Sequence, residues 1–264
     1  MNNEIISVVI IGAGNLATNL GFALMKAGAQ ILQICNRTPE RGKLLAKKTH
    51  AVYIDNIDKL TQNADLYICS VSDHALVKII PKLHLKNKLV VHTSGTLGMD
   101  ILKDVSSHYG VLYPLQTFIR SKSRQFKDIP VCIEGNNPAT ERKLKMLAEK
   151  LSNNVHVIES RKRKILHLSA VFAGNFTNFM YTIAEDLLNQ YDLPLDLLHP
   201  LIVKISHNTK YHNLFLFQTG PAVREDRNII EEHRILLKND KLYQELYTLI
   251  SNGIIQYKHS HDKL

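Results

Sequence analysis

The sequence predicts a doubly wound α/β domain followed by an all-α domain, and three observations predict it. Short apolar runs alternate with amphipathic stretches through the first half, the pattern of a parallel sheet with helices on both faces. A glycine-rich turn joins the first apolar run to the first amphipathic stretch. After Glu159 the β-branched runs stop and helical periodicity takes over. The expected division is therefore 1–158 and 159–264.

The first six apolar runs, read as strands, are Ile5–Ile11, Ile31–Cys35, Ala51–Ile54, Asp65–Val71, Lys88–His92 and Gly110–Tyr113. Helices are expected between them at Asn15–Ala27, Pro39–Lys48, His74–Ile80 and Met99–Val105. Two further strands, Val131–Glu134 and Val155–Ile158, bracket a charged helix at Pro138–Leu151, whose proline suits a first helical turn. Helical periodicity then runs through Lys162–Leu188, Leu195–Asn208, Asn228–Leu237 and Leu242–Tyr257. Phe172, Phe176, Phe179 and Ile183 form an apolar stripe suited to core or subunit packing, and Tyr257–Leu264 reads as a solvated end.

Composition narrows the class. With 45% hydrophobic and 22% charged residues and only 12 Gly and 8 Pro, a disordered or fibrous chain is excluded. No apolar run reaches the roughly 18 residues of a membrane-spanning helix, and Met1-Asn2-Asn3-Glu4 lacks a secretory signal's basic flank, so a cytoplasmic protein without membrane contact is expected. Cys35, Cys69 and Cys132 are odd in number, far apart and set in apolar runs, which suits buried thiols, with no metal expected. The net charge of +9 is scattered, with concentrations only at Arg120–Lys127 and Arg161–Lys164. No nucleic-acid motif accompanies it, so anionic small ligands are the expected partners.

Gly12-Ala13-Gly14-Asn15-Leu16-Ala17 fits GxGxxA in the required strand-to-helix context. The first glycine permits the tight turn and the second admits a pyrophosphate close to the backbone. The small Ala17 packs helix on strand, and the phosphates sit on the helix N-terminus. A Rossmann dinucleotide site is expected, a merely structural turn being the alternative. Where an NAD site usually has an acidic residue, this chain has Asn36-Arg37-Thr38, with Arg41 one turn on. A guanidinium can stack on adenine and pair with a 2′-phosphate, so NADP is the expected cofactor; the plainer alternative is that Arg37 and Arg41 begin a solvated helix.

The strand tips supply the polar groups of the nicotinamide end, since the carboxyl ends of parallel strands line the ligand crevice. Val71 and Ser72 are cofactor candidates, and His92, Ser94 and Gln116 stand at the next two tips, although ordinary turn chemistry accounts for such residues equally well. On a wheel of about 100° per residue, His167, Asn175 and Asn178 share one face with Ala170, Val171 and Gly174. Small residues there let a ring approach while the polar ones orient it. His167 alone on that face titrates near neutrality, a structural histidine being the alternative. Arg224, after the Gly220-Pro221 turn, could clamp an anion or form a surface ion pair. No GxSxG, P-loop, HExxH or CxxC motif supports hydrolase, kinase or metalloprotease chemistry.

GAGNLA (12–17), NRT (36–38), HTSG (92–95), PLQTF (114–118), HLSAVFAGNF (167–176) and TGPAVRED (219–226) together resemble the Rossmann-like NADP oxidoreductases that carry a C-terminal domain of unknown function 2520. That family is similar in architecture to pyrroline-5-carboxylate reductase, the deazaflavin-dependent NADP oxidoreductases and the 6-phosphogluconate dehydrogenase superfamily. The resemblance implies a homodimer formed through the helical domain, a site in the cleft between domains, and His92, Ser94, Gln116, His167 and Asn175 around the reacting carbon. Two positions depart from it. The lysine and asparagine that the related hydroxyacid dehydrogenases space four apart are here His167 and Val171, and the family's common Arg-Gly-Asp is here Arg224-Glu225-Asp226.

The expected function is NADP-dependent hydride transfer to or from a small C=O or C=N carbon. His167 moves the proton, Asn175 and Ser94 orient the substrate, and Arg224, Asn178, His92 and Gln116 are further substrate contacts. The rival from another class is an NADP-binding sensor or scaffold without turnover.

Overall fold

A computed structural model describes residues 7–119 and 126–261. Ile5 and Ile6, the basic residues of 120–125 and residues 262–264 lie outside the described residues. The first 157 residues contain β1 (Ser7–Ile11), α1 (Asn15–Lys26), β2 (Gln30–Cys35), α2 (Pro39–Lys48), β3 (Val52–Ile54), β4 (Leu66–Cys69) and α3 (Asp73–Ile79), then β5 (Leu89–His92), β6 (His108–Pro114), β7 (Val131–Gly135), α4 (Pro138–Leu151) and β8 (Val155–Val157). The remainder is helical: α5 (Ser160–Ala170), a π-helical segment (Val171–Phe176), α6 (Thr177–Asn189), α7 (His199–Asn208), α8 (Pro221–Arg224), α9 (Arg227–Leu236) and α10 (Lys241–His261).

The eight strands form one sheet in the order β3-β2-β1-β4-β5-β6-β7-β8, parallel except for the β6–β7 pair. This is the expected doubly wound fold. β1 shows why both faces must be covered: Val8 and Ile10 enter one core with α1 residues Leu20 and Leu24, while Val9 and Ile11 enter a second with Tyr67, Leu76 and Leu102. Alternating side chains that are apolar on both faces leave a strand only the interior. The order reverses between β1 and β4, so the ligand crevice of such a sheet falls at their carboxyl ends.

Two local expectations are corrected. Residues 99–105 form only a short 3₁₀ turn, Met99–Leu102, closed by tight bonding back to the Asp100 and Leu102 carbonyls. The helix after Glu159 is not uniformly α. Its π-helical segment at 171–176 turns more slowly than 100° per residue and shifts the phase of everything after it. Over its described residues the tail is largely exposed, as expected of a solvated end, and helical through His261, with the Tyr257 ring against Phe215 and His261.

The chain divides into two compact units, 1–176 and 177–264. α5 therefore belongs with the sheet, and the reason is Arg163. Its side chain is fully buried, pairing with Glu134 of β7 at 2.5 Å and donating to the Leu97 carbonyl at 2.6 Å. The Glu134 carboxylate also accepts from the Ser160 amide and hydroxyl, so the start of α5 is fastened to the sheet by one charged cluster. In the second unit Tyr243 donates to Asp186 at 2.6 Å, and among its described residues only Ala222 and Ser251 are buried.

Candidate active site

The glycine turn is built as the chemistry demands. Gly12 has φ +119°, its N–H donates to the Cys35 carbonyl at 2.8 Å, and a Cβ there would stand 2.1 Å from the Ser70 carbonyl oxygen. Only glycine satisfies both constraints. Gly14 caps α1, with nothing within 4 Å of where its Cβ would be. The first amides of α1, from Asn15, Leu16 and Ala17, thus begin a helix at the crevice, the arrangement that holds phosphate groups. The Asn15 side chain donates to the Phe118 carbonyl at 3.0 Å, which ties the loop after β6 to this turn.

These residues line a cleft of about 970 Å³ that runs across the carboxyl ends of the parallel strands. At one end stand Asn36, Arg37, Thr38 and Arg41, and Lys78 and Lys82 add positive charge to the lining. Asn36 spends its amide on the Thr38 carbonyl at 2.8 Å, shaping the turn and leaving Arg37 and Thr38 exposed. The carboxylate lining this end is Asp55, which Lys59 pairs at 2.9 Å and holds below the usual carboxylate range.

At the other end, Val71 and Ser72 follow β4, and the Ser72 hydroxyl accepts from the Ala75 amide as the cap of α3. Ser94, Gly95 and Thr96 form the loop after β5. The Ser94 hydroxyl accepts from the Thr96 and Leu97 amides at 3.1 and 2.9 Å, and Thr96 donates to Asp73. His92 lies beneath this loop with no exposure: Nδ1 accepts from the Ser94 amide and Nε2 faces the Gly98 carbonyl, both at 3.2 Å. Burial, and then the Arg163 cation, push its pKa down to about 4. It shapes the loop from below.

His167, on α5, reaches the same cleft, and its Nδ1 is 2.9 Å from the Tyr113 hydroxyl at the end of β6. The cleft thus unites Gly12, Gly14, Asn15, Leu16, Ala17, Asn36, Arg37, Thr38, Val71, Ser72, Ser94 and His167. Asn175 lies in the π-helical segment, exposed and outside the cleft lining, and Gln116 is exposed with its side chain turned onto the Thr117 amide. Asn178 and Arg224 are exposed residues of the second unit. Tyr113 and Arg163 are not among the residues that the sequence marks for the site. For Tyr113, its place at a strand's carboxyl end was a usable signal; Arg163 is one of several cations in a basic helix, and the sequence does not set it apart.

Glu225 resolves the departure at the Gly-Pro turn. It adopts φ +57°, the left-handed conformation glycine takes freely, while its carboxylate is 3.1 Å from Lys258 and 2.8 Å from His259. Those two partners hold it below the usual carboxylate range.

Comparison with known proteins agrees with this fold. The family model for Domain of unknown function (DUF2520) matches residues 129–254, and that for shikimate / quinate 5-dehydrogenase matches 3–103. A solved structure from Bacteroides fragilis, assigned as an NADP oxidoreductase, is 40% identical over 96% of this chain and 99% of its own, with a TM-score of 0.89. The chain belongs to this family of Rossmann-type NADP oxidoreductases. This chain shares its fold with 1-pyrroline-5-carboxylate reductase of Streptococcus pyogenes, 13% identical over 98% of this chain and 100% of that one, with a TM-score of 0.62. A glutamyl-tRNA reductase of Methanococcus aeolicus is 26% identical over 168 residues, 62% of this chain. The chain spans 40% of that relative's length. Among the described residues, no helix is long and apolar enough to cross a membrane.

Proposed function

We propose that this chain is an NADP-dependent oxidoreductase that moves a hydride between C4 of the nicotinamide and a small C=O or C=N carbon. The observation that carries the reading is one continuous cleft with Arg37 and Arg41 at one end and a hydrogen-bonded histidine at the other. Bound NADPH supplies the hydride. The amides of Asn15, Leu16 and Ala17 hold the pyrophosphate, with Gly12 and Gly14 keeping the approach clear. Arg37, with Thr38 and Asn36 beside it, binds the 2′-phosphate, for which a guanidinium is a strong partner. Val71 and Ser72 border the ribose and nicotinamide. His167 gives or takes the proton at the substrate heteroatom, and Ser94 orients the substrate.

The helical unit supports a homodimer in this reading. Leu197, Leu201, Leu216, Leu236 and Leu249 are each more than half exposed in the single chain, too many large apolar residues for the surface of a lone subunit. Size-exclusion chromatography with light scattering is expected to show twice the 30.0 kDa chain mass. The reaction is tested with C4-deuterated NADPH and a panel of small ketones and cyclic imines. Deuterium in a reduced product supports the enzyme; NADPH binding without transfer to any of them supports the sensor.

A further inference from the structure

His167 is enclosed on one edge only. The point where a Gly95 Cβ would stand lies 2.6 Å from Nδ1, 2.7 Å from Cγ and 3.0 Å from Cβ of His167, so the loop backbone presses on the inner edge of the ring. Tyr113 closes the same edge: its hydroxyl is 2.9 Å from Nδ1 and its ring meets the imidazole edge-on, with centroids 6.0 Å apart. Nε2, at the opposite corner, makes no hydrogen bond among the described residues. Arg163, one turn earlier on α5, is anchored to Glu134 and Leu97, so the helix carrying the ring is held against this loop.

Tyr113 is 8% exposed, and burial pushes its hydroxyl up to about 12. It therefore keeps its hydroxyl hydrogen throughout the physiological range. A phenol can donate to Nδ1 or accept from it, and donation is the arrangement that makes Nδ1 the acceptor and puts the ring hydrogen on Nε2.

We propose that Tyr113 is a positioning residue that fixes His167 with its hydrogen on Nε2, the corner of the ring opposite the Tyr113 hydroxyl and Gly95. The proposal rests on the proton-moving role proposed for His167. As the hydride reaches the substrate carbon, the π pair of the C=O or C=N bond moves to the heteroatom, which takes the Nε2 hydrogen. Water then returns a proton to Nε2, releasing hydroxide to solvent, while Tyr113 keeps its hydroxyl hydrogen and its place at Nδ1. NADPH is the reductant, and the only covalent changes in the protein are these proton transfers.

The test is a long-range ¹H–¹⁵N correlation spectrum of the full chain labelled with ¹⁵N-histidine, at neutral pH and without cofactor. The His167 resonances are those that vanish in His167→Gln. The wild type is expected to show a protonated Nε2 and an Nδ1 shifted upfield by an accepted hydrogen bond. In Tyr113→Phe, Nδ1 is expected to move downfield to the position of an unbonded acceptor. A hydrogen on Nδ1 in the wild type overturns the proposal, and this criterion holds even if Tyr113→Phe fails to fold. An Nδ1 resonance unchanged in a folded Tyr113→Phe also overturns it. Because the spectrum needs neither NADPH nor turnover, failure of the protein to bind NADPH would remove the proposed function while leaving the hydrogen bond measured.

Discussion

The imidazole of His167 rests on the α-carbon of Gly95, so closely that a methyl group at residue 95 would stand 2.6 Å from Nδ1. Neither neighbour can yield: the loop is pinned by Ser94 and His92 from within, and α5 by Arg163. Gly95→Ala is therefore expected to displace the ring while leaving the cofactor end intact. NADPH affinity should stay within a few-fold of wild type, while kcat/KM for the best ketone or imine falls by roughly 100-fold, the usual cost of a misplaced catalytic group. Unchanged turnover in Gly95→Ala would remove His167 from the mechanism.

Arg163 and Glu134 form a buried pair whose two members depend on each other. Arg163→Met leaves a carboxylate without its counter-charge and is expected to cost about 3–5 kcal/mol in urea unfolding. Arg163→Met with Glu134→Leu should recover most of that loss, since an apolar replacement of the whole pair carries no orphaned charge. Equal destabilisation in the single and double variants would show that the pair is not the fastening that holds α5.

His92 makes stability depend on pH. Its folded pKa is pushed down to about 4 by burial and by the Arg163 cation, while the unfolded chain titrates near 6.5. Between those values the unfolded state binds the extra proton. The contribution is therefore complete above pH 6.5 and is lost as pH falls toward 4, by roughly 3 kcal/mol at most. His92→Asn retains an acceptor for the Ser94 amide without this titration. Comparing urea midpoints at pH 7 and pH 5, the wild type should lose more than His92→Asn; equal losses would place the acid sensitivity elsewhere.

Glu225 holds a left-handed backbone that a side chain makes costly, and its carboxylate partners on α10 compensate. Glu225→Ala loses the partners and keeps the strain, so its melting temperature should fall. Glu225→Gly loses the partners and relieves the strain, so it should stay near wild type. An alanine variant as stable as the glycine variant would mean that the backbone conformation is not the controlling feature.

The sheet was legible because β1, β2, β4 and β5 are short apolar runs with one reading, and the glycine loop because Gly12 and Gly14 stand between a strand and a helix. What escaped was set by contacts between distant residues. Nothing in the run 160–170 distinguishes the fully buried Arg163 from its exposed neighbours Arg161, Lys162 and Lys164; the partner that buries it lies on β7. The wheel that joined His167 to Asn175 and Asn178 assumed an unbroken α-helix, and the π-helical turn between them cannot be read from local propensity. Tyr113 and His167 meet only because β6 and α5 pack together, 54 positions apart in the chain.

The most direct test of the central claim is a titration of the purified protein with NADPH and with NADH, followed by nicotinamide fluorescence, since the chain has no tryptophan to serve as an energy donor. NADPH is expected to bind roughly 10- to 100-fold more tightly than NADH, the range of a charge-assisted contact to the 2′-phosphate, and Arg37→Ala should erase the difference. Equal affinities, a preference for NADH, or binding of neither would contradict the assignment of this cleft to NADP.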